Sequence, residues 1–284
     1  MTTTWRFWLL SGPALTFYAL VLLVPLGLTA LLSLQTADPA TGAGAPLGLH
    51  NYAEVLSDSY FLEIFVRTLA LALVTTIACL LLGVPEAIIL HRMRAPWRGL
   101  FLLVILGPLL IAVVVRTLGW ALVFGPQGVL GAAGVALGWS REPVSLMYTS
   151  AGVTIALVHV LVPFMVVAVW AALQRGDAQA EHAAASLGAG GFTIFRRILL
   201  PRIVPGIASG SVVVFSLAAT AFATPAIIGG RRLKVAATAA QDEFLATLNW
   251  PLGAAIAVIL LVGNLGILLA YDRLVKRRFA ESFR

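Results

Sequence analysis

Residues Asp177–Gly206 read DAQAEHAAASLGAGGFTIFRRILLPRIVPG. The stretch lies between two strongly apolar runs, yet it is too polar and too punctuated by Gly and Pro to cross a bilayer. It is also too patterned to be a linker. Asp177 is placed to cap a helix through its side chain, and Glu181 falls near the favourable positive end of that helix. The spacing predicts a ten-residue helix over Ala178–Leu187, about 15 Å long, ended by Gly188 with positive φ. Its surface is almost all alanine, which buries little area but fits closely into a narrow cleft. A second helix is expected from Phe192, with Phe192, Phe195 and Leu199 on one apolar stripe. Pro201 and Pro205 are expected to stop it and to start the next apolar run. Two short helices meeting at a glycine make a compact bracket fixed to the flanking runs. An amphipathic hairpin lying on lipid is the alternative.

Outward from the bracket, the solvent is decided by composition. The chain has 284 residues, 60% hydrophobic and 11% charged, with a mean hydropathy of +0.98. Soluble domains carry about 25% charge. So little charge cannot cover an aqueous surface, and an integral membrane protein in contact with lipid is expected, as one domain over 1–284. Cys79 is the single cysteine, which excludes an intrachain disulfide and a cysteine metal cluster.

The apolar runs predict an all-α membrane protein with six helical spans, at about 8–34, 64–90, 101–124, 152–173, 207–228 and 250–271. Each is long enough for a hydrocarbon core about 30 Å thick. Lipid cannot satisfy backbone polar groups, so the spans must be helices. The run from Trp8 is longer than a signal-peptide core and continues through Pro25, so it is read as a retained span. Residues 125–149 are glycine-rich and broken, and are expected to hold a short helix or a re-entrant piece. NYAEVLSDSYF, from Asn51, reads as helix in the loop between the first two spans.

The net charge of +7 is an orientation signal here, not a nucleic-acid footprint. With the N-terminus in the cytoplasm, thirteen Lys and Arg residues fall on the cytoplasmic side, among them Arg92, Arg175, Arg196 and Lys276, against four (Arg141, Arg231, Arg232 and Lys234) outside. That bias places both termini and the bracket at 177–206 in the cytoplasm. Trp5, Trp8, Trp97 and Trp170 fall near the inner interface, and Trp139 and Trp250 near the outer one.

The bracket resembles the EAA loop of permease subunits in binding-protein-dependent ABC importers. That pattern is EAA, three residues, Gly, nine residues, then I-x-L-P. Here His182, Ala183 and Ala184 take the first positions, Gly188 the next, and Ile198, Leu200 and Pro201 the last. One residue departs: His182 stands where the family has Glu, immediately after Glu181. LHNYAEVL from Leu49, PWRGLFLLVILGPLL from Pro96, VVRTLGWALVFGPQGVL from Val114, FATPAIIGG from Phe222 and NWPLGAA from Asn249 extend the likeness to the spermidine/putrescine branch, on its PotB-like side.

What the resemblance implies is a type I importer half-channel in a bacterial inner membrane. It would pair with a second, PotC-like permease and two copies of a cytosolic ATPase, which carry the ATP and Mg. It would receive its cargo, a polyamine or a related amino compound, from a periplasmic solute-binding protein. The residues carried over as the coupling site are Glu181, His182, Ala183, Ala184, Gly188, Ala189 and Phe192.

The chain has no G-x-x-x-x-G-K-[ST] loop, no HExxH and no G-x-S-x-G, so it lacks the sequence marks of ATP binding and of these hydrolytic centres. The expected role is transport without chemistry of its own, with an ion-gradient-driven secondary carrier as the rival. Ionisable groups in spans are candidates for the path. Glu86, after Pro85, either faces a conduit or pairs with Arg92 or Arg94. Arg116 is expected to organise buried carbonyls or a partner's carboxylate. His159 and Asn264 each offer an interhelical hydrogen bond or a place in the pore. Trp120 and Phe222, in the segments that carry the resemblance, complete the candidate path. GIASG at Gly206–Gly210 is a small-xxx-small face suited to close helix packing. Asp242 and Glu243 are either docking charges for the binding protein or part of a solvated loop.

Overall fold

The computed structural model describes residues 3–36, 47–138, 140–175 and 179–278, with side chains described between residues 11 and 275. Asp177, Trp139, Arg284 and the side chains of Trp5, Arg6, Trp8 and Lys276 lie outside the described residues. Apart from one isolated antiparallel bridge between Gln35 and Leu47, the described regular structure is helical. In chain order the helices are α1 (Thr3–Ser33), α2 (His50–Ser57), α3 (Ser59–Arg92), α4 (Ala95–Leu106), α5 (Val113–Phe124), α6 (Val129–Ala136) and α7 (Ser150–Gln174). They continue with α8 (Gln179–Ser186), α9 (Gly191–Ile194), α10 (Leu200–Ala219), α11 (Ala236–Leu245) and α12 (Trp250–Arg278). Among the described residues, six helical stretches are long and apolar enough to cross a membrane: Ser11–Ser33, Ser59–Arg92, Val113–Ala136, Ser150–Gln174, Gly191–Ala219 and Trp250–Val275.

Two of these differ from the expected spans. The run 101–124 is divided: α4 tightens into a 3-10 turn at Gly107–Leu110, the backbone extends at Ile111, and α5 begins afresh at Val113. Gly107-Pro108 supplies the break, since proline removes an N–H and glycine weakens the helix. The third candidate span is therefore Val113–Ala136, made of α5, a turn and α6, with Ala95–Leu110 a shorter apolar helix before it. The fifth starts earlier than expected. Pro201 and Pro205 do not stop the helix; residues 191–219 are helical throughout. A π turn at Phe195–Leu199 precedes Pro201, and the Leu200 N–H bonds five residues back to the Phe195 carbonyl. This change of bonding register accommodates a proline that cannot donate. The helix ends at Ala219, and Pro225–Gly229 forms a second π turn.

The chain divides into two compact units. One contains the residues up to Ile64 and Ala236–Val262. Within it, the end of α1 is tied to α2 by the buried Asn51, whose Nδ2 donates to the carbonyls of Ser33 (2.9 Å) and Gln35 (2.7 Å). The Ser33 carbonyl is one that a helix end leaves without an intrahelical partner. The Asn249 side chain accepts the Leu252 N–H (3.2 Å) and so caps α12.

The other unit contains Phe65–Val235 and the chain from Gly263 onward. Its core is built from α3, α7 and α10, with Leu90, Met165, Val166, Val169, Leu173, Ile203 and Val214 fully buried. Thr149 caps α7 by accepting the Gly152 N–H. α7 and α10 pack tightly at the small-residue face. A Cβ on Gly206 would stand 2.7 Å from the Ala168 carbonyl oxygen, and one on Gly210 would stand 2.8 Å from Met165 Sδ.

Candidate functional site

The bracket closes as its glycine requires. Gly188 has φ +81°, a conformation that costs a residue with a Cβ about 1–2 kcal/mol. The Gly188 N–H bonds to the Ala185 carbonyl and the Ala189 N–H to the Ala184 carbonyl, both at 3.0 Å. This is the paired closure of a Schellman motif, and it satisfies the last carbonyls of α8. The chain turns at once into α9. The result presents His182, Ala183 and Ala185 on an exposed face, with Leu187 88% and Phe192 76% exposed beyond it. Phe192 does not share a buried face with the other two residues of the expected apolar stripe. Phe195 and Leu199 turn inward onto the core, and Leu199 is buried.

Glu181 behaves differently from its neighbour His182. One residue is about 100° of helical turn, so two adjacent side chains face different ways. Glu181 Oε1 lies 3.7 Å from Arg202 Nη1 in α10, and Oε2 lies 3.7 Å from Arg92 Nη2 at the end of α3. Only 19% of its side chain is exposed, against 14% for Arg202 and 63% for Arg92. Arg202 Nη2 also donates to the Leu173 carbonyl in the last turn of α7. The pair with Arg92 is of the exposed kind, worth about 0–1 kcal/mol. The pair with Arg202 is better shielded from water, so it is screened less than the pair with Arg92. The sequence holds no signal for this clasp. Its three charges lie in three segments, and Arg92 was an alternative partner for Glu86.

Within the same unit a cavity of about 410 Å³ opens beside α7. Its walls are mostly aliphatic, with Leu82 and Glu86 from α3, Ile105 from α4, Pro108 from the 3-10 turn, Trp120 from α5, and Val158, His159 and Val162 from α7. Glu86 is half-buried and lines this cavity. Trp120 Nε1 donates to His159 Nδ1 at 3.2 Å, with the rings edge-on at 5.4 Å. The acceptor role of Nδ1 places the proton of the neutral ring on Nε2. Of the six candidate path residues, Glu86, Trp120 and His159 thus meet at one place. The remaining three do not line it.

Arg116 is buried and directs Nη1 to the Pro108 carbonyl. This contact lies at the break between α4 and α5. Phe222 lies just past the end of α10. Asn264 Oδ1, in α12, is enclosed without a hydrogen-bond partner among the described residues. Asp242 and Glu243 lie in α11, where Glu243 Oε2 meets the Thr247 hydroxyl at 2.6 Å. One feature escaped sequence reading altogether. Tyr148 adopts φ 62°, donates its N–H to Ile228 (2.8 Å), and receives the Arg232 guanidinium 5.8 Å above its ring.

Residues 97–280 match the family described as binding-protein-dependent transport system inner membrane component. The chain is 32% identical over 241 residues to the spermidine/putrescine transport system permease protein PotB of Escherichia coli, covering 85% of this chain and 87% of that protein. To PotB of Haemophilus influenzae it is 29% identical over 251 residues, 88% and 87% of the two chains. Its fold superposes with a TM-score of 0.78, at 17% identity and 96% coverage of both chains, on a subunit in the crystal structure of a bacterial ABC transporter involved in the import of the acidic polysaccharide alginate. That last likeness shows the fold.

Proposed function

The chain belongs to the inner-membrane components of binding-protein-dependent transport systems, as a multi-pass permease subunit of an ABC importer, and from that premise we propose how it works and what it carries. The bracket at 177–206 faces the cytoplasm, as do both termini, and docks on a separate ATPase through His182, Ala183, Ala184, Gly188, Ala189 and Phe192. Members of this family work with a second permease, ATPase subunits and a periplasmic binding protein. Here the second permease is PotC-like and the ATPase is present in two copies. ATP binding closes the ATPases, the brackets move together, and the spans around the bracket tilt the conduit from inward-open to outward-open. The binding protein then releases its cargo into the conduit.

The cargo is a polyamine or a related amino compound. The observation that carries this reading is the carboxylate of Glu86 in a largely aliphatic cavity with Trp120 and His159. A carboxylate pairs with an ammonium group, an indole face attracts a cation, and apolar walls suit a methylene chain. The similarity to PotB proteins supports the same class. Asp242 and Glu243 are the docking charges toward the binding protein.

The experiment is uptake by proteoliposomes holding both permeases and the ATPase, with the binding protein outside. Polyamine-loaded binding protein is expected to stimulate ATP hydrolysis and labelled-polyamine accumulation together, and Glu86→Gln to depress accumulation about tenfold or more. Uptake of a different solute class, with polyamines inert, refutes the assignment of cargo.

A further inference from the structure

The ion pairs at the base of the bracket separate two residues that the motif treats as one locus. His182 occupies the motif's Glu position and is exposed, while Glu181 is turned inward between two guanidinium groups. We infer that Glu181 is a positioning residue, the strut that carries the bracket's displacement into α3 and α10, and that it is not a contact for the ATPase. The inference rests on the importer reading above and assigns one residue a different task within it.

Three observations support the strut. Each carboxylate oxygen of Glu181 faces a different helix, Oε1 toward Arg202 of α10 and Oε2 toward Arg92 of α3. Arg202 is itself fixed, because its second terminal nitrogen donates to the Leu173 carbonyl at the end of α7. The ends of α3, α7, α8 and α10 therefore meet through three charged side chains and one carbonyl. Nearby, Arg98 of α4 gives both Nε (3.2 Å) and Nη2 (2.7 Å) to the Met93 carbonyl just past α3, which stiffens the link that Arg92 precedes. The alternative route for force from α8 is the backbone through Gly188 and Gly190, ahead of the continuous helix at 191–219. Glycines yield before they push, so a side-chain strut supplies the stiffness that the glycine elbow lacks.

The test uses the full complex in proteoliposomes and reads three quantities: ATPase co-purified per permease, ATP hydrolysed, and cargo accumulated per ATP. Glu181→Gln is expected to keep the ATPase at the stoichiometry of the unsubstituted complex while cargo per ATP falls about tenfold. Arg202→Gln is expected to match it, and the double variant to be no worse than the poorer single. Arg92→Gln, at an exposed side chain that folding tolerates, lowers the ratio by about twofold and keeps the inference testable if Glu181→Gln does not assemble. Glu181→Asp restores part of the ratio. Loss of the ATPase from Glu181→Gln complexes makes the residue a docking contact and overturns the inference. So does an unchanged ratio in Glu181→Gln and Arg92→Gln. In both cases the unsubstituted complex still accumulates cargo, so the importer reading stands. Absence of ATP-driven uptake in the unsubstituted complex sinks that reading and the strut with it.

Discussion

Adding one methyl group at Gly206 tests the packing that holds the bracket's helix in the membrane. A Cβ there would lie 2.7 Å from the Ala168 carbonyl oxygen, 2.8 Å from Ala172 Cβ and 2.9 Å from Val169 Cα. Carbon contacts are optimal at about 3.5–4.0 Å, so α10 must withdraw from α7 by about 0.5–1 Å. Two of the three neighbours are backbone atoms and cannot rotate away. A gap of that size forfeits about a quarter to a half of each contact well along the seam, where Met165, Val169 and Ile203 are fully buried. Overpacking costs about 1–3 kcal/mol. Alanine returns about 0.8–1 kcal/mol of helix propensity, leaving a net loss of up to about 2 kcal/mol. Gly210→Ala is the internal control. Its first neighbour is the flexible Met165 Sδ at 2.8 Å, then Ala168 Cβ at 3.2 Å. That thioether can rotate, so the gain in propensity roughly cancels the cost. Gly263→Ala, with nothing within 4 Å, is neutral or slightly stabilising. Thermal unfolding of the detergent-solubilised protein, followed by the loss of monodisperse material on size exclusion, reads all three. A Gly206→Ala midpoint at or above that of the unsubstituted protein refutes the argument. So does a Gly210→Ala loss larger than that of Gly206→Ala.

Arg116→Met removes the guanidinium that pairs with the Pro108 carbonyl at a helix break; it is expected to cost about 1–3 kcal/mol of stability with KM for cargo unchanged, and a raised KM at unchanged stability contradicts the staple role. Gly188→Val forces a β-branched residue into φ +81° and is expected to reduce ATPase co-purification severalfold without changing the melting of the membrane core. Trp120→Phe removes the donor to His159 but keeps an aromatic wall; polyamine uptake is expected to fall by less than in Glu86→Gln, and an equal fall would make the indole N–H as important as the carboxylate.

Local patterns were the part of this fold legible in the sequence. The apolar runs, the glycine that needs positive φ and the small-xxx-small face at Gly206–Gly210 each follow from composition or short-range spacing. The division of 101–124 was less visible. Gly107-Pro108 marks a possible break, but prolines recur within helices of this chain, as Pro85 in α3 and Pro163 in α7 do. Pro201 and Pro205 misled in the other direction. A π turn ahead of Pro201 keeps the helix continuous, and no sequence pattern announces a π turn. The site was partly legible by residue type, since charged or aromatic groups in spans stand out. Which of them share a cavity depends on how α3, α5 and α7 pack. The clasp on Glu181 lay beyond reach for the same reason: its basic partners are Arg92 at the end of α3 and Arg202 in the first turn of α10, and only helix packing brings them to it.

The central claim is that the bracket receives motion from an ATPase, and site-directed cross-linking tests it most directly. The chain's one cysteine, Cys79, is buried and can be replaced by Ala. Cysteines are then placed singly at Leu187, at Phe192 and, as a control on an exposed stretch of α1, at Val21. With a short bifunctional thiol reagent in the full complex, Leu187→Cys and Phe192→Cys are predicted to join the chain to the ATPase subunit, with a yield that changes when ATP is bound. Val21→Cys is predicted not to. Failure of both bracket positions to capture the ATPase, in a complex that still hydrolyses ATP when loaded binding protein is added, contradicts the account.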